Sequence, residues 1–215
     1  MFPLRDANPR HGPPYVTWAL IALNVLIFIY TVSLSPLEAG RFVFVYGFIP
    51  QSFFDQPLPS GYRLFSSMFL HGGWAHLLGN MFFLFVFGDN IEERMGRGRY
   101  LLFYLVGGVL ATLAHGLFMP SSPIPLIGAS GAVSAVLGAY IVLFPRQRVL
   151  TFIPPFFIFW LPAWVYLGYW ALLQAVKAVG GIALEAGDGV AWWAHVGGFL
   201  YGVLVVRLLA ARDSR

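Results

Sequence analysis

The chain has 215 residues, of which 59% are hydrophobic and only 10% charged, with a mean hydropathy of +0.74. A soluble domain carries about 25% charged residues, so this surface cannot be hydrated throughout and its solvent must be lipid. The length suits one compact domain, the absence of cysteine excludes disulfides and thiolate chemistry, and the pI near 9.6 does not point to nucleic acid, because the basic residues sit at the ends of apolar segments as topology determinants.

In chain order, residues 1–14 are polar and proline-rich and are expected to form a short flexible lead-in. Tyr15 to about Ser33 is the first span, apolar enough to cross ~30 Å of hydrocarbon at ~1.5 Å per residue. No small-residue cleavage site follows it, which favours an anchor over a signal peptide. Residues 34–62 are too aromatic for a linker, and Phe42–Pro50 is expected to lie in the membrane interface, where aromatic rings sit at headgroup depth. A second span runs from Tyr62-Arg63 to about Gly88 and carries His71, His76 and Asn80. A charged turn follows at 89–99, then a third span from Tyr100 to Phe118 and an uncharged proline-rich loop to Pro125. The fourth span is a membrane-length apolar helix from Leu126 to Pro145, with Ser130 near its start. Prolines 154, 155 and 162 break the next apolar run into an irregular lead-in at 149–157 and a fifth span at 158–178. A loop with Glu185 and Asp188 precedes the sixth span, Trp192 to about Ala210, and a tail at 211–215. The expected fold is all-α: six transmembrane helices with a long interfacial first loop, the membrane domain covering 15–210.

Ten of the thirteen basic residues fall on one side of this arrangement, among them Arg5, Arg94, Arg146 and Arg207. The positive-inside rule then puts both termini in the cytoplasm. Ser130 and His195 begin spans that start from the opposite side, and His76 lies in the corresponding part of the second span. Three polar elements far apart in sequence therefore share one depth.

Polar side chains within a membrane are costly and mark functional sites by default. Taken singly, Ser130 is explained as helix-packing glue and His195 as a histidine bonded between helices; together they suit nucleophilic chemistry. A serine hydroxyl needs a base to take its proton, and a neutral imidazole serves near pH 7. His76 and Asn80, four residues apart, share a helix face. Both, with the Ser130 backbone N–H, can donate to the oxyanion of acyl transfer. Small residues supply a reason for contact. Gly131, Ala135 and Ala139 form one ridge of the fourth span, with Ser134 and Gly138 beside it, and Gly198 and Gly202 form a GxxxG pattern on the His195 face of the sixth.

The segments His71-Gly-Gly-Trp-Ala-His76-Leu-Leu-Gly-Asn80, Gly128-Ala-Ser130-Gly131 and Ala194-His195-Val-Gly-Gly198 with Gly202 resemble the rhomboid intramembrane serine proteases over nearly the whole chain. Tyr62-Arg63 and Glu92-Glu-Arg94-Met-Gly96 are supporting matches. The resemblance implies a six-helix fold, a water-filled cavity open to the non-cytoplasmic side, and a Ser–His dyad without a catalytic carboxylate. Ser130 would be the nucleophile and His195 the base, with His76, Asn80 and the Ser130 amide binding the oxyanion. By the same resemblance His71, Arg63 and Glu92 are supporting positions. No metal or cofactor is implied. Two departures stand out. Ser134 replaces an aromatic ring that some relatives stack on the catalytic histidine, so Trp192 or Trp193 is the expected substitute. Tyr62 stands where tryptophan is common.

The function expected is hydrolysis of peptide bonds in or beside transmembrane segments of membrane-protein substrates, in the plasma or inner membrane. The loop 180–191 and the proline-broken fifth span are the expected gate. An inactive rhomboid-like binding or chaperone protein would have signalled itself by loss of Ser130 or His195. A transporter predicts polar groups through the full membrane depth. A metalloprotease lacks its His-Glu-x-x-His, and a helix would turn His71 and His76 about 140° apart.

Overall fold

The computed structural model describes residues 1–184 and 190–210. Glu185, Asp188 and the expected tail, with Arg212 and Arg215, lie outside the described residues. The fold is predominantly helical. Helices α6 (Trp74–Met95), α7 (Arg97–Phe118), α9 (Ala163–Leu184) and α10 (Trp192–Leu209) pack around α8 (Ser130–Leu143), and α1 (Tyr15–Ser33) packs against α6. Among the described residues α1, α7 and α10 are long and apolar enough to cross a membrane. Their bounds follow the sequence expectation closely, α7 starting three residues early.

Helix α1 follows Pro14 and has no side-chain cap of its own. Its first donors are met from another helix. The Glu92 carboxylate accepts the Val16 N–H at 3.0 Å, the Thr17 N–H at 2.8 Å and the Thr17 hydroxyl at 2.8 Å. A carboxylate at a helix N-terminus satisfies orphan donors and complements the dipole. This corrects the charged turn expected at 89–99. Asn90 and Glu92 are buried and hydrogen-bonded, so polarity does not end α6; Gly96, at φ +78°, does. Glu92→Ala strands three donors of charge-assisted bonds and is expected to cost about 3 kcal/mol, read from thermal unfolding in detergent. Glu93→Ala, whose carboxylate meets the exposed His11 ring, is expected to cost less than ~1 kcal/mol.

The second span is not one helix. A short helical stretch through α5 (Arg63–Ser66) and a 3₁₀ turn (Ser67–Phe69) breaks before α6, with an 80° bend between the two. The break falls at Gly72-Gly73, where Gly73 is extended at φ 172° and ψ 169°. Upstream, α2 (Pro36–Tyr46) opens with a capping box between Ser35 and Glu38, and α3 (Pro50–Asp55) and α4 (Pro57–Ser60) follow. The Tyr62 hydroxyl donates to the Val45 carbonyl at 2.7 Å, and the Ser66 hydroxyl to Tyr46 at 2.6 Å. Tyr62, the departure from tryptophan, thus ties α2 to α5.

A three-stranded antiparallel sheet, ordered β1 (Phe2–Asp6), β2 (Arg148–Ile153), β3 (Phe157–Pro162), corrects the all-α expectation. The lead-in expected to be flexible is β1, the segment expected to be irregular is mostly β2, and the fifth helix starts at Ala163 rather than 158. Alternate residues Val149 and Thr151 of β2 are fully buried, and β3 is aromatic and β-branched, residues that suit a pleated surface. Asp6 fastens β1 to the bundle: its carboxylate accepts from the Tyr140 hydroxyl at 2.5 Å and from Asn90 Nδ2 at 2.9 Å. Burial raises the Asp6 carboxyl from 3.8 to about 6; the Tyr140 hydrogen bond opposes this and the nearby Asp89 adds to it. The folded state therefore holds this proton more tightly than the unfolded chain. Its contribution to stability is complete below about pH 4 and is lost as pH rises through about 6. Asp6→Asn is expected to flatten the stability–pH curve across that window, measured by thermal unfolding.

Helix α8 is shorter than expected, 14 residues or ~21 Å. Residues 126–129 are not helical; Phe48 and Leu126 exchange two backbone hydrogen bonds at 3.0 and 2.7 Å. Every residue from Gly131 to Tyr140 is buried, which marks a helix enclosed by protein on all sides.

Candidate active site

The α8–α10 contact is made backbone to backbone, as the small residues predict. A Cβ added at Gly198 would collide with the Gly131 carbonyl, one at Gly202 with the Ala135 carbonyl, and one at Gly138 with the Phe199 carbonyl. Gly131 faces a third helix as well, since a Cβ there would stand 2.7 Å from Ala111 of α7. This close packing sets His195, in the first turn of α10, beside the start of α8.

Ser130, His195, His76 and Asn80 line one cavity of about 590 Å³, together with Ser134, Trp170 and Gln174. Four side chains from three helices, separated by as many as 119 residues of sequence, thus share one space. Ser130 is the first residue of α8, so its backbone N–H belongs to a turn whose donors have no intrahelical partner. Ser134 sends its hydroxyl back to the Ser130 carbonyl at 2.6 Å and offers no ring to a histidine.

His76 and Asn80 stand one turn apart in α6, and His71 precedes that helix. His71 Nε2 accepts from Asn80 Nδ2 at 3.1 Å, which fixes the amide. The rings of His71 and His76 meet edge to face at 5.0 Å, so the expectation that they point ~140° apart fails because His71 is not helical. Gly128, at φ +122°, lies against the His76 ring: an added Cβ would stand 2.6 Å from Nε2. Only glycine combines that backbone with that approach. The Gly128 N–H donates to the Ser67 carbonyl at 2.9 Å, holding the segment ahead of Ser130.

His195 is placed by residues that the sequence motifs did not single out. Its Nδ1 lies 2.8 Å from Gln174 Oε1, and the Trp170 ring centroid is 6.1 Å from its own. Trp192 meets it edge to face at 5.8 Å, whereas Trp193 stacks on Phe118 at 3.6 Å. Of the two expected substitutes for the missing ring, Trp192 touches His195 and Trp193 is engaged elsewhere. Gln174 is findable by the same rule that found His195, as a buried amide in a predominantly apolar helix.

The supporting residues divide. Gly131, Gly198 and Gly202 form the α8–α10 contact, and Glu92 caps α1. Arg63 lies outside the cavity, beside the Tyr62 and Phe44 rings. Among the described residues no cluster of three His, Cys, Asp or Glu is placed to hold a metal ion.

Fold and site define a helical integral membrane protein with a cavity among its helices in which a few polar side chains are set in an otherwise apolar lining. The chain belongs to the rhomboid family: the Rhomboid domain model matches residues 59–212. It is 34% identical to Rhomboid protease GluP of Bacillus subtilis over 143 residues, covering 66% of this chain and 27% of that protein. It is 27% identical to the chloroplastic Rhomboid-like protein 11 of Arabidopsis thaliana over 205 residues, covering 89% of this chain and 67% of that protein. The mitochondrial Rhomboid protein 1 of Saccharomyces cerevisiae is 28% identical over 212 residues, covering 91% of this chain and 56% of that one. The chain thus spans only part of the length of these relatives.

Proposed function

We propose that the protein is an intramembrane serine endopeptidase that hydrolyses peptide bonds in or next to transmembrane segments of membrane proteins. The observation that carries this is the shared cavity of Ser130, His195, His76 and Asn80. Ser130 Oγ attacks the scissile carbonyl carbon while His195 takes its proton, and the carbonyl electron pair moves to oxygen. His76, Asn80 and the Ser130 N–H donate to that oxyanion. As the intermediate collapses, the C–N bond breaks and His195 gives its proton to the departing amine. Water, deprotonated by His195, then attacks the acyl carbon, and as that intermediate collapses the ester C–O bond breaks and His195 returns the proton to Ser130 Oγ. No carboxylate, metal or cofactor is needed.

The bilayer partner follows from the apolar helices, and the six-crossing topology adds α8, α9 and the bent α5–α6 stretch, counted as one crossing, to the three helices that length and composition support. With its C-terminal end at the cytoplasmic boundary, a ~21 Å helix in ~30 Å of hydrocarbon leaves Ser130 ~10 Å below the opposite face. That depth suits a bond inside a substrate's transmembrane segment. Both termini are then cytoplasmic, the cavity opens to the other side, and the plasma or inner membrane is the location. Val190 and Ala191, just ahead of α10, line the cavity, which supports that end of the expected 180–191 loop as part of the gate; residues 180–184 belong to α9.

The test uses a fluorophosphonate, which phosphonylates an activated serine, on protein in liposomes that also cleaves a single-span substrate. Labelling and cleavage are expected in the wild type and absent in Ser130→Ala. Cleavage surviving in Ser130→Ala removes the reading.

A further inference from the structure

We infer that Gln174 is a positioning residue that fixes His195 in the one neutral tautomer able to accept the Ser130 proton. This rests on the Ser130–His195 reading proposed above and assigns α9 a part in it.

The hydrogen-bond inventory leaves one consistent arrangement. The Trp170 carbonyl, which only accepts, lies 3.1 Å from Gln174 Nε2, so that nitrogen is the amide NH₂. The amide is thereby oriented, and the atom it presents to His195 at 2.8 Å is the carbonyl oxygen Oε1. An oxygen acceptor at that distance requires a donor, so His195 Nδ1 carries the proton. In a neutral imidazole Nε2 is then a bare lone pair, the form required of a base. Gln174 is only 7% exposed, which limits the competition of water for this bond. The Trp170 and Trp192 rings, at 6.1 and 5.8 Å, flank the imidazole and limit its rotation.

The bond also outlasts the proton transfer. Once His195 has taken the Ser130 proton, Nδ1–H is a charged donor, and a hydrogen bond to an ionised partner is roughly twice as strong as a neutral one. A neutral amide thus does part of what a carboxylate does beside a catalytic histidine, without placing a negative charge among apolar helices. The ionisable groups whose field reaches His195 are His76 of α6 and His115 of α7. Lys177, one turn past Gln174 on α9, lies over the Trp192 ring at 5.6 Å, and Ser130 and Ser134 face it uncharged from α8.

The test compares wild type, Gln174→Leu and Gln174→Glu in liposomes across pH. Substrate cleavage and fluorophosphonate labelling of Ser130 are both measured. Gln174→Leu is expected to lower kcat and the labelling rate by at least ~10-fold with KM nearly unchanged. Gln174→Glu keeps an acceptor at Nδ1. It should restore most of the rate and move the acid limb of the pH profile upward, because a carboxylate favours the imidazolium. Nitrogen-15 NMR of labelled histidine in the wild type gives a second readout that needs no variant: a proton on His195 Nδ1 with bare Nε2 is expected. Wild-type kcat and pH profile in Gln174→Leu overturn the proposal, as does a proton on Nε2. Ser130→Ala that still cleaves overturns the protease reading instead, so the two failures are distinguishable.

Discussion

Ser130→Ala and His195→Ala are each expected to lower kcat by at least ~10,000-fold, and the double variant is expected to lose no more than either alone. The reason is that the hydroxyl and the imidazole act as a unit. Without the base the serine is a weak nucleophile, and without the serine the base has nothing to activate except water. His76→Ala and Asn80→Ala should behave differently. Each removes one donor to the oxyanion, a loss of about 100-fold, and each leaves the nucleophile intact, so Ser130 still reacts with the fluorophosphonate. Asn80→Ala also releases the His71 ring, its hydrogen-bond partner at 3.1 Å, so it should show the larger fall in stability of the two. Initial rates in liposomes for the four single variants and the Ser130/His195 double variant test the scheme. A double variant whose loss equals the product of the single losses would show that the two residues act independently.

The fold was most legible where an apolar run is bounded by proline or by charge: α1 follows Pro14 and stops before Pro36, α7 runs from Arg97 to just before Pro120, and α10 stops before Arg212. Helices α1, α7 and α10 begin and end within a few residues of their expected bounds for that reason. Where a charge has an internal partner the rule fails: α6 continues through Glu92 because the Val16 and Thr17 donors meet the carboxylate. Short apolar runs are equally ambiguous. Residues 148–162 have the composition of a membrane segment but the length of a hairpin, and the decisive partner, β1, lies about 140 residues upstream. The short α8 had a signal in Gly128, whose positive φ cannot sit within a helix.

The candidate site could be proposed from the sequence because a polar residue among apolar ones stands out. Ser130, His195, His76 and Asn80 line one cavity, and the glycines that were expected to let the helices approach lie at the backbone contacts. Gln174 has no such motif around it. Its partner is 21 residues away on another helix, and no periodicity within α9 points across that gap. The placement of His71 was not legible, since a helical period was extended across Gly72-Gly73, where the helix breaks.

Gly202→Ala is expected to destabilise the protein by about 1–3 kcal/mol and to lower kcat by roughly 100-fold, although it lies two helical turns from His195. The added Cβ would overlap the Ala135 carbonyl oxygen and stand 2.9 Å from both the Ala135 carbonyl carbon and the Ala139 nitrogen. All three are main-chain atoms of α8, so no side-chain rotation relieves the contact and the two helices must part. Parting them moves His195 away from the start of α8, and a displacement of ~1 Å at a reacting pair is enough for the rate loss. Gly168→Ala on α9, where an added Cβ meets nothing within 4 Å, is expected to leave both quantities unchanged or to raise stability slightly through helix propensity. A second-site test separates backbone collision from ordinary crowding. Because the obstacle is the carbonyl of residue 135 and not its methyl group, adding Ala135→Gly should not restore Gly202→Ala. Recovery of both unfolding temperature and kcat in that double variant would mean that the helices meet through side chains.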